Sequence, residues 1–258
     1  MAKVAKNSII TLDSRLLIFY HITMIISPRQ GRILEKVVEE HINSARPVSS
    51  KLIEEKYDFS VCPATIRNDM QRLTDWGFLF QPHTSAGRVP TDKGYRFFVD
   101  HLLEGEILGS KDALKISEIL QQEEDIFKFA ARLSRFLAET SSNLATIHLF
   151  DRDFFWKEGW EEVLREPEFG EKDFIVSFTK LLKKFEQEIK NMEMSSEIRI
   201  YIGQENPFLK TKDFSIISTR CSFPKKVSGI VSLLGPKRMT YGKNIRLINS
   251  LSKVLGEF

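Results

Sequence analysis

Residues 63–91 read PATIRNDMQRLTDWGFLFQPHTSAGRVPT, and the fold turns on this stretch. Its first part sets Ile66, Met70, Leu73 and Trp76 on one side at helical spacing, which leaves Thr65, Arg67, Asn68, Gln71 and Arg72 on the other. Pro63 suits the first helical position, where an N–H would have no partner, and Gly77 suits the helix end. The remainder predicts a strand, a loop containing Pro82, Ser85 and Gly87, and a second short strand. That is a β-hairpin of the kind called a wing.

Upstream, residues 28–43 (PRQGRILEKVVEEHIN) bring Ile33, Leu34, Val37, Val38, His41 and Ile42 to one helical face. Pro47 breaks that helix. Ser49 or Ser50 then caps a short second helix, expected to be buried through Leu52, Ile53 and Tyr57, and residues 59–62 form a tight turn. Downstream, Thr91 caps a fourth helix with Tyr95, Phe98, Val99 and Leu102 on its apolar side.

Three helices and a hairpin, the third helix polar on one side, predict a winged helix-turn-helix domain over residues 24–104, which offers its third helix to the major groove of double-stranded DNA. Arg67 is suited to guanine O6 and N7, and Asn68 to adenine N6 and N7. Arg72 is better placed for a phosphate. Asp69, near the buried face, is expected to orient Arg67, Arg72 or a helix terminus. The stretch 78–91 contains no acid, so His83, Thr84, Ser85 and Gly87 permit close approach to a phosphate and Arg88 is available to the minor groove or the sugar-phosphate chain.

Charge alone does not argue for nucleic acid. The net charge of the 258 residues is +3, and residues 24–104 carry eleven Lys/Arg against eleven Asp/Glu. A binding surface must come from the placement of charge on a neutral domain. Cys62 and Cys221 lie far apart, with no disulfide framework or metal-ligand spacing, which points to the reducing cytoplasm. The apolar run 16–26 (LLIFYHITMII) is about half of a membrane span. No membrane association is expected, and residues 1–23 read as an extension outside the fold.

Gly105 and Gly109 mark an expected hinge. Beyond it, 111–140 predicts a long amphipathic helical region, 144–150 a strand, 174–192 a helix, then strands at 197–202, 214–221 and 227–234, and a last helix at 241–255. The class is α+β. Histidines 21, 41, 83, 101 and 148 are scattered, and no nucleophile with a base or paired carboxylates can be nominated. Residues 229–237 (GIVSLLGPK) have the wrong glycine spacing for a phosphate loop and read as strand plus turn, with Thr240 capping the last helix. Cys221 reads as a buried small apolar residue. An enzyme is not expected, nor a cofactor or metal.

ATIRNDMQRL (64–73) followed by QPHTSAGRVPTDKGYRFFVD (81–100) closely resembles the HrcA family of heat-inducible transcription repressors. GWEEVLREPEF, RIYIGQENPF and LLGPKRMTYGKNIRLINSLSKVL extend the resemblance over most of residues 26–256. The resemblance implies an N-terminal winged helix-turn-helix domain followed by a GAF-like domain over 105–258. It further implies a homodimer on the CIRCE inverted-repeat operator of chaperone operons, with the GroE chaperonin keeping the repressor in its DNA-binding form. Two departures stand out. Cys62 replaces the family's usual Ser or Thr cap, and between Phe150 and Trp160 about ten residues stand where the family carries two GAF strands and an inserted dimerising subdomain. A truncated GAF-like domain and a weaker dimer are therefore expected, with the apolar faces of 111–140 and 174–192 as contact surfaces. Alternative readings are a winged-helix regulator with another operator, a protein-binding winged-helix adaptor, and a repressor–enzyme hybrid, which would need a glycine loop after residue 105.

Overall fold

Ser27 starts the first helix by a reciprocal cap. Its hydroxyl accepts the Gln30 N–H at 3.3 Å while the Gln30 side chain accepts the Ser27 N–H at 3.0 Å, with Pro28 in the first helical position. The computed structural model describes residues 26–104, 111–191 and 197–256. Helix α1, Pro28–Ser44, buries Ile33, Leu34, Val37, Val38 and Ile42. Ser49 caps α2, Ser50–Lys56, through the Leu52 N–H, but this helix buries Ile53 alone. Leu52, expected inside, is 36% exposed because a seven-residue helix turns only one residue fully toward α1 and α3. Helix α3, Pro63–Asp75, buries Ile66, Met70 and Leu73 as its spacing requires. Cys62 occupies its N-cap, and its thiol makes no capping bond to a backbone N–H.

Strands β1, Leu79–Phe80, and β2, Val89–Pro90, form the expected antiparallel hairpin. It is extended by a bridge between Val48 and Arg88, whose N–H groups and carbonyls exchange bonds at 2.8 and 2.7 Å. Thr91 then accepts the Gly94 N–H at the start of α4, Asp92–Glu104.

Residues 1–23 and the expected hinge glycines 105 and 109 lie outside the described residues. The expected long helical region is two helices, α5 (Lys111–Gln122) and α6 (Ile126–Ser141), because Asp125 accepts the Phe127 and Lys128 N–H groups and so caps a new start. A five-stranded antiparallel sheet follows in the order β4-β3-β7-β6-β5. Its strands are β3 (Leu144–Leu149), β4 (Phe154–Glu158), β5 (Arg199–Ile202), β6 (Phe214–Phe223) and β7 (Val227–Pro236). Short α7, Trp160–Val163, and α8, Lys172–Glu188, come between β4 and β5, and α9, Tyr241–Leu255, closes the fold. Thr240 precedes α9 without forming the expected side-chain cap. The class is α+β.

Helices α5, α6 and α9 cover one face of the sheet and α8 the other, which is why β3 is buried at all six positions. The faces expected to hold a second copy are therefore occupied within one chain. Phe129, Leu133 and Leu137 of α6 lie in one apolar cluster, and Phe178, Leu181, Leu182 and Phe185 of α8 in the other. Strand β4 also departs from expectation, since the stretch between Phe150 and Trp160 turns at 150–153 and pairs along β3 from Phe154 to Glu158.

Helix α4 joins the two halves. The Asp92 carboxylate accepts from Lys237 at 2.7 Å and from the Gln204 N–H at 3.0 Å; Arg96 pairs with Glu205 and donates to the Ile200 carbonyl at 2.7 Å. Arg238 donates to the Ile42 carbonyl at 2.9 Å while its other nitrogens hold Glu166 and Glu168. Between these polar contacts the rings of Tyr95 and Tyr241 lie 5.9 Å apart, and the Tyr95 hydroxyl lies 2.7 Å from His41 Nδ1. Burial, reinforced by Arg238, pushes His41 down to about 4. Gly203, at φ +53, leaves room for Asp92, whose carboxylate a Cβ there would overlap. No described helix is long and apolar enough to cross a membrane.

Candidate nucleic-acid interface

The exposed face of α3 and the hairpin meet at a groove of about 440 Å³, lined by Val48, Ser49, Ser50, Arg67, Met70, Gln81 and residues 84–88. Arg67 of α3 thus lines the same groove as Thr84, Ser85, Gly87 and Arg88 of the hairpin. Arg67, Asn68 and Arg72 are exposed and, among the described residues, make no side-chain hydrogen bond or ion pair. They remain available to a ligand. Thr65 is half-buried in the first turn, with its hydroxyl 3.3 Å from Cys62 Sγ. That hydroxyl and the first-turn N–H groups hold the Cys62 thiol below its ordinary value.

Gln71 and Arg88 are less free. Arg88 Nη2 donates to Gln71 Oε1 at 2.9 Å and Nε to Thr74 Oγ1 at 3.1 Å, while Gln71 Nε2 donates to Asp75 at 2.8 Å. This chain ties hairpin to helix, so Arg88 must exchange two bonds before reaching a minor groove. Gly87 is also placed by packing, since a Cβ on it would lie within 2.5 Å of the Val48 carbonyl group. At the hairpin tip, His83 Nδ1 lies 3.1 Å from Ser85 Oγ, and Thr84 and Ser85 are exposed.

Residues that the sequence did not assign to the site also shape this surface. Gln81 Nε2 donates to the Thr84 and Ala86 carbonyls and so closes the tip. Ser49 and Ser50 bring the start of α2 to the groove wall. Behind α3, the buried Asp69 accepts from Arg29 Nε at 2.8 Å and Gln30 Nε2 at 2.9 Å. Of its expected roles, it does not orient Arg67 or Arg72 but holds a helix terminus, clamping α3 to the first turn of α1. Glu40 does the same for α2. Burial works against its charge, but Lys56 at 2.6 Å and Tyr57 at 2.5 Å outweigh that and hold it below the ordinary carboxylate range. Burial pushes the Cys221 thiol up to about 12, which leaves it unreactive. Among the described residues no group of three His, Cys, Asp or Glu is placed to hold a metal ion.

A family model described as the HrcA protein C terminal domain matches residues 96–245. The heat-inducible transcription repressor HrcA of Thermodesulfovibrio yellowstonii is 26% identical over 343 aligned positions, which cover 89% of this chain and 97% of that protein. That of Alkaliphilus metalliredigens is 41% identical over 128 positions, 49% of this chain and 37% of that protein. An alignment of 343 positions with a chain of 258 residues leaves at least 85 positions at which this chain has no residue. A solved structure described as a hypothetical protein at 2.2 Å resolution superposes with a TM-score of 0.69 at 19% identity, covering 91% of this chain and 99% of that one, and so shares the fold.

Proposed function

The chain belongs to the HrcA family, and from that premise we propose that it is a transcription repressor of heat-shock genes that binds duplex DNA through residues 24–104. The observation that carries this reading is the exposed, unpartnered set Arg67, Asn68 and Arg72 on α3 beside a hairpin whose stretch 78–91 contains no acid. In this reading residues 24–104 are a winged helix-turn-helix domain with α3 in the major groove. Arg67 and Asn68 face base edges; Arg72, Thr65 and Gln71, with His83, Thr84, Ser85, Gly87 and Arg88 of the wing, meet the sugar-phosphate chain. Residues 105–258 form a shortened GAF-like effector domain, and residues 1–23 are an extension.

One such domain buries only about 600 to 1,000 Å² on DNA, too little for operator-level specificity, so a homodimer on the inverted-repeat CIRCE operator completes the reading. The GroE chaperonin acts as its modulator in the cytoplasm. Protection of the DNA upstream of a chaperone operon by the purified chain, with and without chaperonin, tests it. An inverted repeat should be protected, with affinity falling steeply as salt rises. Absence of protection, or binding indifferent to salt, would favour a winged helix that docks on protein.

A further inference from the structure

Gln81 follows β1 directly and is half-buried. Its side-chain nitrogen donates to the Thr84 carbonyl at 2.8 Å and to the Ala86 carbonyl at 2.9 Å. Two carbonyl acceptors can be met only by the NH2 end of an amide, so the partners fix which way the side chain is turned. The Ala86 N–H closes the turn on the His83 carbonyl at 2.9 Å. Among the described residues the N–H groups of Ser85 and Gly87 meet no acceptor.

The planarity of the peptide decides where those two N–H groups point. In a trans peptide the N–H is directed opposite to the carbonyl of the preceding residue, and none of the described peptide bonds is cis. The Thr84 carbonyl is turned to Gln81, so the Ser85 N–H is turned away from it. The Ala86 carbonyl is turned to Gln81, so the Gly87 N–H is turned away as well. One side chain therefore sets two peptide planes, and both donors leave the tip on the side opposite its amide. Their surroundings suit an anion. The stretch 78–91 contains no acid, Thr84 and Ser85 are exposed, and Arg67 and Arg88 line the adjoining groove. The bridge between Val48 and Arg88 anchors the base of the tip, so the donors keep their place. Neighbouring backbone N–H groups held in this way take the oxygens of a phosphate.

We propose that the N–H groups of Ser85 and Gly87 bind one backbone phosphate of duplex DNA, and that Gln81 is the positioning residue that presents them. This rests on the DNA-binding reading and deepens it. Gln81 itself touches no DNA, and the affinity it confers is the same for every base sequence, because phosphates carry none.

Duplex binding by the full chain tests this in wild type and Gln81→Met, which keeps the length of the side chain and removes both donors. Circular dichroism verifies that the variant is folded. Gln81→Met should weaken operator and scrambled duplex alike, about three- to tenfold. Its dependence on salt should be unchanged, because an uncharged N–H releases no counterion; loss of an arginine contact would lower the slope of log affinity against log salt by about 1. Replacing single phosphates by neutral methylphosphonates locates the contact. In wild type one position beside the hairpin should cost about tenfold. In Gln81→Met the same position should cost less than about twofold, while the others keep their penalties. The absence of any such position in wild type would overturn the phosphate contact however the variant folds. A salt slope that falls in Gln81→Met would overturn it as well, since Gln81 would then act by placing Arg88. Equal penalties in both proteins at every phosphate would remove the role of Gln81 and leave the repressor standing. A penalty that Gln81→Met abolishes on scrambled duplex, with no preference for the operator, would do the reverse. Wild type that binds no duplex would overturn both.

Discussion

Arg67 and Arg72 leave the same exposed face of α3, but Arg67 lines the groove against the hairpin and Arg72 does not. Arg67→Ala or Asn68→Ala should cost about 1 to 3 kcal/mol of operator affinity and relax base preference. Arg72→Ala should weaken all duplexes alike, and competition binding against scrambled DNA separates the two outcomes. His41 makes a second prediction, about pH. Its folded value near 4 lies below the ordinary 6.5, so the unfolded chain takes up the proton first. The stability it contributes is complete above about pH 6.5 and is lost as pH falls through about 4, a difference of about 3 kcal/mol. Urea midpoints at pH 7.5 and 4.5 should therefore converge in His41→Gln relative to wild type. Asp69 marks the limit of reading at this scale. Helical spacing placed it on the inner side of α3, but its partners come from α1, about forty residues earlier, and no local pattern names Arg29 and Gln30.

Helices α1 to α4 were legible because each carries its own punctuation: Ser27, Ser49, Pro63 and Thr91 at the starts, Gly77 at one end. Strand β4 was not, because its five residues lack an apolar-polar alternation and become a strand only by pairing with β3. The break between α5 and α6 depends on one residue, Asp125, inside an otherwise continuous helical pattern. The bare cap of α3 predicts a gain. Cys62→Ser should stabilise the chain by about 1 kcal/mol in urea unfolding by giving the Thr65 N–H a side-chain acceptor. Gly87→Ala should do the opposite. The added methyl group meets the Val48 carbonyl, so the bridge to Arg88 must open at a cost of roughly 1 to 3 kcal/mol, and operator binding should fall with it. Hydrogen exchange at the Val48 and Arg88 amides reports whether the bridge has opened.

Across the whole molecule the apolar core runs without a gap from Ile33 of α1 through Tyr95 of α4 to Tyr241 of α9. The α+β class followed from the sequence, as did the order of elements apart from β4, α7 and the division of α5 from α6; the docking of the two halves did not, since it joins Asp92 to Lys237 and Arg96 to Glu205 over more than a hundred residues. Arg238→Met should cost about 3 kcal/mol, because it strips the Ile42 carbonyl and two carboxylates of their donor in a largely buried site. Faster amide exchange at both the end of α1 and residues 166–168 would place the loss at this junction; exchange confined to one side would show that Arg238 does not couple them. The same junction constrains inheritance. A hybrid gene that joins residues 26–104 of this chain to the remainder of a relative must also receive a lysine at 237, a glutamate at 205 and a glycine at 203. The three travel with Asp92 and Arg96 as one heritable unit, although the reading frame separates them by a hundred codons.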